Sequence, residues 1–185
     1  KFPNTAICAV LAGSALLVYR LANRHWTVVV TRTLAGVMMI VAVLTLLEHA
    51  TGIDLGIDTL LFYRPWDIAA AASPMRMGLP ASAANLLLGL GIVLATYGPR
   101  ARAVATVLAL VTAAIAALSL TGYWFGANQL FGIARLTGIA LITSTVIAAL
   151  SAGLMAAVSE RGLVALLRRD DAGGYRLRQE DKPEK

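Results

Sequence analysis

The side chains best suited to chemistry gather in one stretch of the sequence, residues 48–58. Glu48 and His49 are adjacent, and Asp54 and Asp58 follow, four positions apart. Carboxylates and imidazole are ordinary metal ligands, and histidine titrates near neutrality. These four residues therefore define a candidate signal-sensing or ligand pocket. The plainer alternative is a solvated rim of acids beside an interfacial histidine.

Three further residues belong to the same candidate pocket. Asn85 lies inside an apolar run, where its amide must find a partner or meet water, and we expect it to bond a neighbouring helix. Tyr123 and Trp124 follow Gly122 at the end of another apolar run, where aromatic side chains anchor among lipid headgroups. The apolar runs hold no nucleotide loop, paired-histidine motif, nucleophile elbow or cluster of catalytic carboxylates. We therefore expect no enzymatic activity, no metal and no cofactor.

The composition indicates the elements that must position these residues. Of 185 residues, 58% are hydrophobic and 14% are charged, whereas an average soluble domain is about 25% charged. Uncharged runs recur at lengths that match a bilayer. This composition disfavours a soluble enzyme, and a single cysteine cannot form a disulfide within one chain. We predict an all-α polytopic membrane helix bundle with five transmembrane helices, at about 4–21, 28–49, 80–98, 102–122 and 137–158.

The positions of the basic residues predict how the helices are threaded. Of the 16 Lys and Arg residues, 12 lie in the segments that follow the first, third and fifth predicted helices. By the positive-inside rule these regions face the cytoplasm, so residue 1 faces outward and the C-terminus is cytoplasmic. The net charge of +6 therefore does not indicate nucleic-acid binding. An outward start without a signal peptide suggests an upstream helix in a longer parent protein.

Two segments outside the predicted helices show amphipathic patterns. In the outer loop, residues 50–79, the acids lie on one face and the aliphatic residues on another over about 53–62, which predicts an interfacial helix on the outer leaflet. Residues 161–169 form a short basic amphipathic segment, and we assign residues 160–185 to a cytoplasmic segment and linker.

A repeat of about 75 residues is visible in the sequence. The stretch beginning at Pro3 aligns with that beginning at Pro80, and the stretch beginning at Glu48 aligns with that at Gly122. Chance alignment of Leu- and Ala-rich helices is the alternative. Small residues also recur every four positions, which in lipid permits close helix packing. The predicted packing positions are Ala9, Gly13, Ala109, Ala113, Ser144, Ala148 and Ala152.

Several motifs resemble the multi-helix N-terminal membrane sensor regions of bacterial PAS-containing histidine kinases and diguanylate cyclases. They are Pro-Asn-Thr-Ala at 3–6, Gly-Ile-Asp-Leu-Gly-Ile-Asp at 52–58 with Leu-Leu-Phe at 60–62, Arg-Met at 76–77, and 161–167 followed by Asp-Asp-Ala-Gly-Gly at 170–174. The resemblance covers nearly the whole chain. It implies a non-catalytic sensor in a bacterial inner membrane that passes a signal to a cytoplasmic output domain, and it implies no particular ligand.

The residues leave two other functions to consider, an accessory subunit and a transporter. The chain would serve as an accessory structural subunit of a larger photosynthetic or respiratory membrane complex if its small-residue faces bind partner helices. Transport is disfavoured because the predicted spans hold no ionisable residue near the midplane. The expected partners are thus the lipid bilayer and either a second copy of the chain or partner membrane helices.

Overall fold

The regular structure of the described residues is entirely α-helical. The computed structural model describes residues 3–21, 25–53, 55–56, 77–125 and 139–159. The helices are α1 (Pro3–Leu21), α2 (His25–Thr51), α3 (Leu79–Ala95), α4 (Pro99–Trp124) and α5 (Leu141–Ser159). The predicted all-α class is confirmed, and each helix overlaps the apolar run that predicts it.

Three of the helices are long and apolar enough to cross a membrane. They are α2, α4 and α5, judged by length and hydropathy. The apolar parts of α1 and α3, Asn4–Arg20 and Leu79–Ala95, are shorter. At 1.5 Å per residue, the 17 residues of α3 extend about 26 Å, slightly less than the ~30 Å hydrocarbon core of a bilayer. The predicted number of five crossings therefore remains a prediction.

The local sequence explains where the helices begin. Gly78 and Gly98 precede α3 and α4 with extended backbone, and each helix has a proline in its first turn. Proline suits this position because its missing N–H would have no helical partner. The turn between α3 and α4 therefore lies three residues earlier than predicted, at 96–98, and Arg100 lies in the first turn of α4. Helices α3 and α4 begin about 75 residues after α1 and α2.

Helix α3 occupies the centre of the bundle. It contacts each of the other four helices, most extensively α2 and α4. Two glycines permit this close approach. A Cβ atom added at Gly89 would lie 2.6 Å from Cγ of Met39 on α2, and one at Gly91 would lie 2.8 Å from Cδ2 of Leu154 on α5. The two glycines, half a turn apart, thus seat α3 against both neighbours.

The buried residues of the outer helices follow a spacing that alternates between three and four. On α4 the buried positions are 105, 109, 112, 116 and 119, and on α5 they include 144, 147, 151 and 154. This average of about 3.5 residues keeps a seam facing its neighbour, whereas a step of four rotates gradually around the helix. The small-residue ladders therefore coincide with the seam over only part of their length.

The predicted packing residues are distributed accordingly. Ala109 and Ser144 are fully buried, and Ala152 is exposed. The remaining four are half-buried, namely Ala9, Gly13, Ala113 and Ala148. Gly13 packs near the side chain of Leu150, whose Cδ2 would lie 3.9 Å from an added Cβ atom.

Some predicted segments fall largely or wholly outside the described residues. The interfacial helix expected at about 53–62 is described only at Ile53, Leu55 and Gly56, and these residues are not helical. Gly52 and Gly56 adopt φ angles of 71° and 70°, in the left-handed region that favours glycine. The predicted cytoplasmic segment 160–185 lies outside the described residues.

Candidate functional site

Glu48 is the central residue of the candidate site. It lies one turn before the end of α2, and its side chain is 0% exposed. The backbone N–H of Leu55 donates a hydrogen bond of 2.8 Å to its Oε1. The N–H of Gly52 donates to the Glu48 backbone carbonyl at 3.0 Å, which caps the helix through a left-handed glycine. Both the side chain and the backbone of Glu48 therefore hold the segment that follows α2.

His49 is half-buried beside Glu48. Its Nδ1 lies 3.0 Å from the carbonyl oxygen of Thr45 in the preceding turn. A carbonyl oxygen only accepts, so Nδ1 carries the proton and donates in this contact. The Nε2 atom is then the ring nitrogen left for other interactions.

Asn85 is buried, at 2% exposure, but its donor contacts do not cross to another helix. Its Nδ2 donates to the carbonyl oxygen of Ala81 at 2.9 Å and to Sδ of Met77 at 3.5 Å. Both acceptors belong to α3 or to the residues just before it. The expected bond to a neighbouring helix is therefore not among these contacts, and the amide donors are satisfied locally.

The helix register separates Asn85 from Glu48. Helices α2 and α3 are antiparallel, with Arg32 bonded to Thr96 and Gly89 against Met38 and Met39. Continuing this register brings Asn85 level with Ala42 of α2. Glu48 lies six residues further along, or roughly 9 Å at 1.5 Å per residue. The sequence-predicted pocket thus extends over different depths of the bundle.

Tyr123 and Trp124 lie at the end of α4 and are exposed, Trp124 to 88%. Together with Leu120 and Leu141 they line an open apolar cavity of about 390 Å³ between the end of α4 and the start of α5. Asp54 and Asp58 lie outside the described residues. Within the described ranges, no group of three or more His, Cys, Asp or Glu side chains is placed to hold a metal ion.

Several buried hydroxyl groups are satisfied within their own helices. Thr45, Thr112 and Ser151 each donate to the carbonyl oxygen four residues earlier in their own helix, at 2.8–2.9 Å. Such bonds satisfy a serine or threonine without a partner on another helix. In contrast, Oγ1 of Thr31 is buried without a hydrogen-bond partner among the described residues.

A second polar cluster, which the sequence reasoning missed, surrounds the C-terminal turn of α3. The hydroxyl of Tyr19 donates to the carbonyl oxygen of Ala95 at 2.8 Å, and Nε of Arg102 donates to the same oxygen at 3.3 Å. Nε of Arg32 donates to Oγ1 of Thr96 at 2.9 Å. The Arg32 guanidinium also stacks on Tyr97, 4.1 Å from the ring centroid.

This arginine cluster has a simple electrostatic basis. The last carbonyl groups of a helix have no intrahelical donor and carry partial negative charge, which cations at that end stabilise. In the sequence alone, Arg32 and Arg102 indicate only the orientation of the chain in the membrane. The sequence offers one indication of this cluster, which is that the apolar run of α3 is followed directly by Thr96. The final carbonyl groups of such a helix require donors from other helices.

Fold and site together define an all-helical bundle with three helices able to span a membrane, a buried carboxylate at one end and an arginine cluster at the other. Comparison with known proteins finds no matching family model, no matching curated protein and no matching solved structure.

Proposed function

We propose that this chain is a non-catalytic sensory module of a bacterial signalling protein, which passes a signal from the Glu48 end of the bundle to the arginine end. The observation that carries the proposal is the complete burial of Glu48, the one charged side chain among the buried residues that the structure describes. An ionisable residue within membrane helices is costly and is by default a functional-site hypothesis. Its partner here is the N–H of Leu55, so any ligand or lipid that moves the outer segment acts directly on α2.

The packing of α3 supports a route for such a signal. Helix α3 contacts both α2 and α5. On α3, Gly89 meets Met38 and Met39 of α2, and Gly91 meets Leu154 of α5. A displacement of α2 is thereby transmitted through a helix with little free space on either side, because close-packed interfaces shift as units.

The charge distribution supports an orientation for the module. The four arginines that the structure describes all lie at the end of the bundle where α3 ends, namely Arg20, Arg32, Arg100 and Arg102. Glu48, the acidic residue of the described helices, lies at the opposite end. By the positive-inside rule we assign the arginine end to the cytoplasmic face of a bacterial inner membrane. The output domain would then continue from the C-terminal side of α5.

The coupling is testable with two spin labels at the arginine end. In a Cys8→Ser background, Val29→Cys on α2 and Ala156→Cys on α5 place labels at exposed positions. Pulsed electron paramagnetic resonance in lipid nanodiscs then compares Glu48→Ala with Leu47→Ala, which changes an exposed neighbour. We expect Glu48→Ala to shift the mean label distance by about 1–2 Å, the usual size of a signalling helix displacement. Identical distributions in all three proteins would contradict the proposal.

The second candidate is an accessory structural subunit of a larger photosynthetic or respiratory complex. The exposed apolar surface of α4 favours it, since Val107, Leu110 and Leu118 are 54–73% exposed and suit either lipid or partner helices. Purification from native membranes in mild detergent separates the two functions. A large complex of fixed stoichiometry would support the subunit, and a homodimer whose gene product continues into a kinase or cyclase would support the sensor.

A further inference from the structure

The arginine cluster has hydrogen-bond donors that the described residues do not use. Arg32 and Arg102 each contact the bundle through Nε. A guanidinium has five N–H donors, so both η nitrogens of each side chain remain available. Within the described part of the chain, no carboxylate pairs with either of them. Among the described residues, two oriented guanidinium groups without a paired carboxylate therefore lie near the end of α3.

The local geometry fixes these groups in place. Arg32 is held both by the 2.9 Å bond to Thr96 and by stacking on Tyr97. Arg102 is bonded to the carbonyl oxygen of Ala95, the residue immediately before Thr96. Both side chains are half-buried. Restricting the rotamers in advance lowers the entropy lost when a ligand binds, and a planar guanidinium matches the oxygen atoms of a phosphate.

Because α3 ends before α2 does, the cluster lies beside an overhanging part of α2. We call the region beside this overhang the recess. Helix α3 ends level with Arg32, seven residues inside α2, so α2 continues beyond it by roughly 10 Å at 1.5 Å per residue. That overhang carries Trp26, 57% exposed, a residue type that favours the membrane interface. A headgroup can therefore reach the cluster beside the overhanging turns of α2.

The surface next to the recess is apolar. Val29 lies three residues before Arg32, on the same face of α2, and is 53% exposed. Val104 on α4, near Arg102, is 49% exposed. A free phosphate ion would use the guanidinium groups alone, whereas a phospholipid would use both the charge and the apolar surface.

From these features we propose that Arg32 and Arg102 form a binding site for the phosphate of an anionic phospholipid in the leaflet at the arginine end. The η nitrogens of the two guanidinium groups donate to the phosphate oxygens, and the acyl chains lie along the exposed valines. Basic recesses between membrane helices bind anionic headgroups elsewhere by this chemistry. The site does not depend on the sensory function proposed above.

The test measures phosphatidylglycerol retained by the purified chain, using native mass spectrometry after delipidation and titration with that lipid. Arg32→Gln and Arg102→Gln are compared with Arg100→Gln, a matched control at the same end whose side chain is exposed. Losing charge-assisted hydrogen bonds should weaken phosphatidylglycerol binding at least about tenfold in each test variant. The control should stay within about twofold, because an exposed charge alone contributes little.

Further arms identify the source of the phosphate and guard against misfolding. Phosphatidylcholine should bind weakly, and inorganic phosphate should not displace phosphatidylglycerol at equal concentration. Arg32→Lys keeps the charge but loses the planar fork, so it should fold, as judged by circular dichroism, and bind with intermediate affinity. Equal loss in Arg100→Gln and Arg32→Gln, unchanged binding in folded Arg32→Gln and Arg102→Gln, or full displacement by inorganic phosphate would each overturn the proposal.

Discussion

Replacing Gly89 with alanine tests the close packing at the centre of the bundle. The new Cβ would lie 2.6 Å from Cγ of Met39, 2.8 Å from Cε of Met38 and 3.4 Å from the backbone oxygen of Ala35. Ordinary contacts of a Cβ atom begin near 3.4 Å. The methionine side chains must therefore move by somewhat less than 1 Å. The backbone oxygen of Ala35 is already at contact distance, so α3 cannot move closer to α2 to make room for the methionines.

Gly36→Ala provides the matched control on α2. Nothing lies within 4 Å of a Cβ atom at that position. Both substitutions gain the same helix propensity, about 1 kcal/mol. Only Gly89→Ala also meets the cost of overpacking, about 1–3 kcal/mol. The difference in unfolding free energy between the two variants cancels the propensity, so it should equal that cost, with Gly36→Ala the more stable.

The measurement is reversible unfolding in mixed micelles as the fraction of denaturing detergent rises, followed by circular dichroism. The double variant Gly89→Ala/Met39→Ala should lose less than the sum of the two single losses, by at least about 0.5 kcal/mol, because the shortened side chain vacates the contact. Equal stability of Gly89→Ala and Gly36→Ala, or purely additive effects of Gly89→Ala and Met39→Ala, would refute the packing described for α3.

Three smaller predictions concern single side chains. Thr31→Val removes a buried hydroxyl without a partner among the described residues, so it should leave the unfolding free energy unchanged or raise it by up to about 1 kcal/mol. Thr45→Val loses a 2.9 Å hydrogen bond and should be less stable than Thr31→Val in the same unfolding assay. Tyr19→Phe should lose about 1 kcal/mol with the bond to Ala95, and an unchanged unfolding midpoint would contradict this. Cys8, the single cysteine and 0% exposed, should react with a maleimide only after unfolding; rapid labelling of the native protein would disprove its burial.

The helices were predictable because apolar run length is a strong and local signal. A long uncharged run predicts a helix whatever its neighbours are, and each of the five described helices overlaps such a run, although α2 also carries Arg32 and Glu48. The start of α4 was less predictable. Pro99 begins the helix and brings Arg100 into it, although both residues also suit a turn.

The site was only partly predictable because it depends on contacts between helices. The sequence indicates that Glu48 and His49 end an apolar helix, but the bond from Leu55 requires the left-handed turn at Gly52. Likewise, no local pattern shows that Arg32 reaches Thr96, 64 residues away. The sequence suggests Asn85 for the same pocket only because the residue is polar. The register of α2 and α3 places it at a different depth from Glu48.

The central place of α3 has a consequence for how the chain is made. During synthesis α1 and α2 emerge before α3, and the face of α2 that carries Ala35 and Met38 lacks its contact with α3 until Gly89 emerges about fifty residues later. Domains and hairpins that await a later segment are open to wrong pairings. The interval between the first hairpin and the third helix is therefore the step in biogenesis at which this bundle is most vulnerable to misassembly.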